Sequence, residues 1–107
     1  MRVTRAEIHA VAQRIGAEFR PEKVILFGSH AYGTPAEDSD VDLLVIMEHS
    51  GSGVAQAIEI VRRVRSRIPV DLVVRTPQEM RQRLQWNDFF LKEVVQRGEV
   101  LYESAHP

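Results

Sequence analysis

Hydrophobic residues recur along this chain with two periods, one typical of helices and the other typical of strands. Near the start, apolar residues follow the spacing of one helical face: Ile8, Val11, Ala12, Ile15 and Phe19. Thr4 followed by Glu7 is a capping-box pattern that predicts the helix N-terminus, and Pro21 ends the helix. We expect this first helix to cover one side of a β-sheet.

Short apolar runs bounded by glycine, proline or polar residues predict the strands. The runs are Lys23–Phe27, Val41–Met47, Val70–Arg75 and a short final Val100–Tyr102. A loop from Gly28 to Ser39 joins the first two runs. In that loop Gly28 permits a tight turn, and Ser29 starts a short helix whose free N–H groups face an anion.

Three further helices are predicted after the second strand. Their signals are an apolar stripe at Val54, Ile58, Val61 and Ile68 before Pro69; the cap Thr76-Pro77 with Glu79, for a helix through about Gln85; and a cap at Asn87 or Asp88, for a helix through Gln96 before Gly98. The last segment is apolar over more than one helical stripe: Trp86, Phe89, Phe90, Leu91, Val94 and Val95. Part of it closes the core, and the surplus predicts contact with another protein.

Composition limits the class of protein. At 107 residues, with 44% hydrophobic and 27% charged residues, we expect one soluble domain over residues 1–107. The net charge of −1 provides no general attraction to nucleic acid or membrane, so Arg62, Arg63, Arg65 and Arg67 are interpreted as solvated surface in preference to a nucleic-acid patch. The absence of cysteine, secretory signal and membrane span favours a cytoplasmic protein.

Candidate chemistry begins at the second apolar run. If this run is a strand, Asp40 and Asp42 share a face with Leu44, and their Cα atoms lie roughly 6.5–7 Å apart. Two such carboxylates resist desolvation unless a cation joins them, and Mg²⁺ is the natural candidate. Asp71, at the start of the third run, would lie roughly 4.8 Å from this pair if the third run is a neighbouring strand. For each piece alone, a turn or a solvated side chain is an alternative.

Gly28-Ser29, ten intervening residues and then Asp40-Val41-Asp42 resemble the G-S-x10-D-x-D signature of polymerase-beta-type nucleotidyltransferases. The chain's size and its Ser39–Leu43 segment are most similar to the minimal nucleotidyltransferases, small proteins often paired with a HEPN-domain toxin. The resemblance runs from Lys23 to about Tyr102. It implies the polymerase-beta-like α/β (α+β) fold, a small mixed β-sheet flanked by helices.

The resemblance also implies roles for particular residues. Asp40, Asp42 and Asp71 would be catalytic and would hold two Mg²⁺ ions. Gly28, Ser29 and Ser39 would bind the nucleoside triphosphate. The implied reaction is transfer of AMP from ATP to a tyrosine hydroxyl of a HEPN toxin, in a hetero-oligomer in which this chain is the antitoxin.

Two alternatives remain open, and one departure bears on them. The chain could be a catalytically weak module that neutralises a toxin by binding, or it could modify a small-molecule hydroxyl with an acceptor site supplied by another subunit. Many minimal nucleotidyltransferases carry arginines after Gly-Ser, where this chain has His30, Ala31 and Tyr32. Histidine and tyrosine offer single hydrogen bonds or stacking instead of bidentate contacts with phosphate, and loop packing is an equal alternative for both.

Overall fold

The predicted order of helices and strands is found in a computed structural model, which describes residues 2–36 and 38–105. The helices are α1 (Arg5–Phe19), α2 (Ser29–Tyr32), α3 (Gly53–Val64), α4 (Pro77–Gln85) and α5 (Phe89–Arg97). The strands are β1 (Lys23–Phe27), β2 (Val41–Ile46), β3 (Val70–Arg75) and β4 (Glu99–Glu103). In the described ranges, every helix is too short or too polar to cross a membrane.

The helix starts are fixed by side-chain caps. Thr4 Oγ1 accepts from the Glu7 N–H at 3.1 Å and Glu7 Oε1 accepts from the Thr4 N–H at 2.8 Å, which confirms the predicted capping box of α1. The corresponding pair at the start of α4 is also confirmed. For α5 the N-cap is Asp88, whose Oδ1 accepts from the Leu91 N–H at 3.1 Å, whereas Asn87 adopts a left-handed conformation with φ 60°. The side chains thus satisfy backbone donors that the helices leave unpaired.

The four strands form one mixed sheet in the order β3-β2-β1-β4. β1 is antiparallel to both β2 and β4, and β2 is parallel to β3. The C-terminus of β1 therefore lies beside the N-termini of β2 and β3. We call this edge the acidic end, because the register there pairs Phe27 with Asp42 and Asp42 with Asp71.

Helices cover both faces of the sheet and divide the core in two. α1 and α3 pack on one face, where the buried strand residues include Val24, Leu26, Val41, Leu43 and Val45. α4 and α5 pack on the other face, over Ile25, Leu44 and Ile46. Strand alternation assigns Asp42 and Asp71 to the α4–α5 face, because they alternate with residues that face the other way. This mixed, helix-flanked sheet confirms the predicted fold class.

The predicted helix α3 is present, but most of the apolar stripe that predicted it does not face the core. Three of the stripe's four residues are exposed, with exposed fractions of 72% for Val54, 56% for Ile58 and 49% for Val61. Ile60 and Val64 are buried instead. The helix also ends at Val64, since Arg65 is left-handed, and Ile68 reaches the core from the following loop. We name the exposed residues Val54, Ile58 and Val61 the α3 stripe.

Backbone approach explains which side of α3 faces the sheet. A Cβ on Gly53 would lie 2.7 Å from the Val74 carbonyl oxygen, closer than Cβ atoms approach a backbone oxygen in proteins. The start of α3 therefore rests directly on β3 through Gly53. Ile60 and Val64 continue the contact with the core along the same helix. Hydrophobic spacing fits both sides of α3, and this close contact distinguishes them.

Candidate active site

Three aspartates lie at the acidic end on adjacent segments of the chain. Asp42 is the second residue of β2 and Asp71 is the second residue of β3, and the two are register partners in a parallel pair. Their Cα atoms are therefore roughly 4.8 Å apart. Asp40 lies outside the regular strand, because β2 begins at Val41. It flanks the pair from the end of the preceding loop.

The negative charges of Asp40 and Asp71 both act on the Asp42 carboxylate. Partial burial raises the pKa of Asp42, and the negative charges of Asp71 and then Asp40 raise it further, while His30 lowers it. Each cause other than His30 disfavours the ionised form of Asp42. The acidic end therefore favours binding of a cation.

Gly28 is required by its backbone conformation and by its neighbour Asp42. Its φ is 75° and its ψ is −160°, a conformation that side-chain-bearing residues rarely adopt. A Cβ at this position would also overlap Asp42 Oδ2. The Gly28 carbonyl accepts from the N–H groups of Ala31 and Tyr32 at 3.0 Å each, which starts α2. The N–H groups of Ser29 and His30, which precede these two donors, have no acceptor within the helical turn.

The rest of the loop is closed by hydrogen bonds that involve His30 and Ser39. His30 Nε2 donates to the Ser39 carbonyl oxygen at 3.0 Å, so packing within the loop is observed for this histidine. Ser39 Oγ accepts from the Ala36 N–H at 2.8 Å, and the Ser39 N–H donates to the Ala36 carbonyl at 3.1 Å. The Ser39 hydroxyl therefore already has a structural contact, and its nucleotide-binding role stays a prediction.

Tyr32 makes a contact that the sequence did not reveal. The guanidinium carbon of Arg97, the last residue of α5, lies 4.1 Å from the centroid of the Tyr32 ring. The Tyr32 hydroxyl is buried, with no hydrogen-bond partner in the described part of the chain. Arg97 is far from the loop in sequence and follows no motif, so only the folded chain brings the two together.

The carboxylates match Mg²⁺ in donor type. Within residues 2–36 and 38–105, no three histidine, aspartate or glutamate side chains are already arranged to hold a metal ion. Asp40, Asp42 and Asp71 would therefore have to change side-chain rotamers to share one ion. An open cavity of about 430 Å³ adjoins the loop, and its lining includes Arg2 and His30. This cavity offers room for a ligand next to the loop.

A small mixed sheet that presents carboxylates at one end, beside a Gly-Ser turn, is the architecture of a nucleotidyltransferase. The sequence model of the nucleotidyltransferase domain matches residues 8–101, and the chain belongs to this family. The resemblance inferred from the signature is confirmed, and the protein is a transferase of this class.

Individual relatives agree with the family assignment. A protein from Methanocaldococcus jannaschii, named as a candidate protein adenylyltransferase, is 28% identical over 78% of this chain and 80% of its own length. A crystal structure of a candidate nucleotidyltransferase from Sulfolobus solfataricus superposes with a TM-score of 0.64 at 21% identity, over 94% of this chain and 81% of that chain. A toxin–antitoxin crystal structure with AMP-PNP also gives 0.64, at 22% identity, over 90% and 73% of the two chains.

Proposed function

We propose that this nucleotidyltransferase is Mg²⁺-dependent, uses ATP, and transfers AMP to a hydroxyl group of a partner protein. We further propose that the partner is a HEPN-domain toxin, so that the chain acts as an antitoxin within a hetero-oligomer, through one domain spanning residues 1–107. The observation that carries the proposal is the register of Asp42 with Asp71, with Asp40 beside them and Gly28 against Asp42. The relatives named for protein adenylylation and toxin–antitoxin assembly support the choice of acceptor.

In the proposed reaction, Asp40, Asp42 and Asp71 would hold two Mg²⁺ ions, which when bound would supply positive charge against the triphosphate and against the charge that develops at the α-phosphate. Gly28 lets the backbone approach the β- and γ-phosphates, and the Ser29 hydroxyl donates a hydrogen bond to them. Asp71 orients the acceptor hydroxyl and takes its proton. The acceptor oxygen bonds to the α-phosphorus while the bond to the bridging oxygen breaks, and pyrophosphate leaves.

The partner surface is proposed to lie on the α4–α5 face. Trp86, Phe89 and Phe90 are exposed by 66%, 84% and 43%, and we call them the aromatic surface. The Phe90 ring meets the Phe27 ring edge-on, with centroids 5.3 Å apart, and Phe27 is the register partner of Asp42. The aromatic surface thus continues directly into the acidic end. A protein acceptor seated there would bring its hydroxyl near the carboxylates.

The test is incubation of the protein with ATP labelled at the α-phosphate, Mg²⁺ and the product of the adjacent gene. We expect label on the partner protein, no label with an Asp40→Asn/Asp42→Asn variant, and no label when chelator removes the metal. Label that accumulates on small molecules but never on protein would contradict the proposed acceptor. An adjacent gene product without HEPN features would contradict the proposed partner.

The second candidate function is neutralisation by binding alone, and the exposed aromatic surface favours it, since binding needs only that surface. The same double variant separates the two functions. If Asp40→Asn/Asp42→Asn still neutralises the toxin in cells as well as the wild-type chain, catalysis is dispensable. If it binds the toxin but growth is not restored, transfer is the protective step.

A further inference from the structure

The loop beside the acidic end supplies no lysine or arginine that could bind the phosphates of a nucleotide. Residues 28–40 contain no lysine or arginine, while Asp40, Asp42 and Asp71 lie at or beside their end. A triphosphate presents several oxygens with formal negative charge, and charge-assisted hydrogen bonds from guanidinium groups are the strongest partners for them. Any fixed cation for the phosphates must therefore come from another segment.

We propose that Arg97 is that cation and binds the phosphates of the nucleotide, an assignment that rests on the proposed use of a nucleoside triphosphate. Its guanidinium carbon lies 4.1 Å from the Tyr32 ring centroid, well within the range of cation–π contact. Tyr32 ends α2, the helix that begins directly after Gly28. The aromatic ring therefore holds the guanidinium of Arg97 against the loop.

Stacking leaves the hydrogen-bonding edge of Arg97 available. The side chain is 55% exposed, although the Tyr32 hydroxyl beneath it is buried. Its ion pair is with Glu93, at 3.4 Å within the same helix, and both partners are half exposed. Exposed pairs of this kind contribute little, so a phosphate can replace the glutamate at small cost.

The chain path places Arg97 at the acidic end. β4 begins two residues later at Glu99, which pairs with Leu26 in β1. Leu26 precedes Phe27, the register partner of Asp42. The C-terminus of α5, and Arg97 with it, therefore lies at the same edge of the sheet as the carboxylates.

Other arginines near this edge are less suitable. Arg5 pairs with Glu99 at 2.5 Å, a much shorter contact than the 3.4 Å pair of Arg97 with Glu93, and no aromatic ring orders its guanidinium among the described residues. Arg2 lines the cavity beside His30, but it precedes the first helix and no aromatic ring orders it among the described residues. A guanidinium that is already ordered loses less conformational entropy on binding than a free one. Arg97 lies at the acidic end, is ordered by the Tyr32 ring, and keeps an exposed side chain.

The test is calorimetric titration of the intact protein, at fixed salt, with MgATP, with inorganic tripolyphosphate and with AMP. Arg97→Met keeps the apolar stem and removes the charge, while Arg97→Lys keeps the charge and loses the planar fork. Arg81→Met, on the exposed side of α4, is the matched control. Tripolyphosphate isolates the phosphate contacts from any contact with the base, and melting curves report on folding.

We expect Arg97→Met to weaken MgATP and tripolyphosphate about tenfold, the effect of losing one charge-assisted contact, with AMP binding nearly unchanged. Arg97→Lys should lose less, and Arg81→Met should match the wild type. Equal affinity of the wild type and Arg97→Met for MgATP would overturn the assignment of Arg97 and leave the proposed function untouched. So would parallel losses for AMP and tripolyphosphate, which would mark a structural role.

The outcomes also separate this assignment from the proposed function. Wild-type protein that binds neither MgATP nor tripolyphosphate would overturn the proposed function and this assignment together. If Arg97→Met fails to fold, Arg97→Lys decides: an affinity for tripolyphosphate equal to that of the wild type overturns the need for a guanidinium at this position.

Discussion

Gly28 and Asp42 constrain each other at the centre of the candidate site. Asp42 Oδ2 occupies the space that a Cβ on residue 28 would need, and the φ of 75° at Gly28 turns the chain into α2. Replacing Gly28 would therefore displace the carboxylate and strain the turn together. The turn and the second carboxylate of the signature therefore form one packed unit in the fold.

Asp42→Asn is expected to raise the thermal midpoint of the metal-free protein by roughly 2–5 °C while abolishing transfer. Burial, then Asp71 and Asp40, raise the pKa of Asp42 above its ordinary 3.8. The folded protein thus holds this proton more tightly than the unfolded chain. The contribution of Asp42 to the free energy of unfolding is therefore most favourable at low pH. It is lost as the pH rises from 3.8 through the raised pKa. Melting curves across this pH range measure the effect.

The control for this prediction is Asp38→Asn, an exposed change in the same loop, which should leave the midpoint unchanged. Added Mg²⁺ should stabilise the wild type and Asp38→Asn more than Asp42→Asn, because the proposed ion would bind the folded state through the carboxylates. A lower midpoint for Asp42→Asn without metal would show that its charge is already compensated in the fold.

At the residue scale, the sequence was informative wherever strand periodicity applies. Alternation assigns Asp42 to the face of Leu44 and Asp71 to the face of Val73, and both pairs lie over the α4–α5 core. The contact of Arg97 with Tyr32 could not be predicted from the sequence, because it depends on how the end of α5 packs against α2. The structure supplies these proximities, and the chemical roles remain predictions.

Helix caps are the elements whose contribution can be isolated most cleanly. In α4, Thr76 Oγ1 accepts from the Glu79 N–H at 3.0 Å, and Glu79 Oε1 accepts from the Thr76 N–H at 2.7 Å. The Thr76 backbone N–H lowers the pKa of Glu79 below its ordinary 4.5. The stabilising contribution of Glu79 is therefore present at neutral pH and is lost as the pH falls below 4.5 through the lowered pKa.

Thr76→Ala is expected to cost about 1 kcal/mol of unfolding free energy at neutral pH, as losses of threonine N-caps generally do. For a chain of this size, the thermal midpoint should fall by about 4–8 °C. Denaturant titration measures the loss, with Ser50→Ala in an exposed loop as the control. The transferase activity should persist below the new midpoint. A variant as stable as the wild type would show that water or another donor replaces the cap.

Elements with strong local signals were predicted closely, and the error at α3 has a local cause. Capping boxes and proline breaks depend on neighbours in sequence, so they gave α1 and α4 correctly. α3 carries apolar residues on two sides, and helical spacing alone does not decide which of the two sides faces the core. Gly53 resting on β3 selects the inner side, and that contact exists only in the folded chain.

At the scale of the molecule, the aromatic surface and the α3 stripe are two exposed apolar regions of the described residues that lie on opposite sides of the sheet. The aromatic surface lies on the α4–α5 face and meets the acidic end through Phe27. The α3 stripe lies on the other face, beyond the core formed with α1. A protein acceptor whose hydroxyl must reach the carboxylates is served by the first region. The second region gives a matched comparison of similar apolar character.

Phe89→Asp is expected to weaken the complex with the adjacent gene product at least about tenfold, because exposed aromatic residues often dominate protein interfaces. Phe89 is 84% exposed, so the thermal midpoint and MgATP affinity should remain those of the wild type. Ile58→Asp, at 56% exposure in the α3 stripe, is the matched control and should leave the complex intact. Pull-down and titration of the purified partner measure both.

The reciprocal result would relocate the partner. If Ile58→Asp dissociates the complex and Phe89→Asp does not, the partner covers α3 and the acceptor hydroxyl must reach the acidic end around the edge of the sheet. β3 is the edge strand on the side of the carboxylates, and Asp71 lies near its start. Labelling from α-labelled ATP would then depend on how far the acceptor segment extends, and Phe89→Asp would leave the labelling unchanged. Retention of the complex together with loss of labelling in Phe89→Asp would instead show that the aromatic surface positions the acceptor without holding the partner.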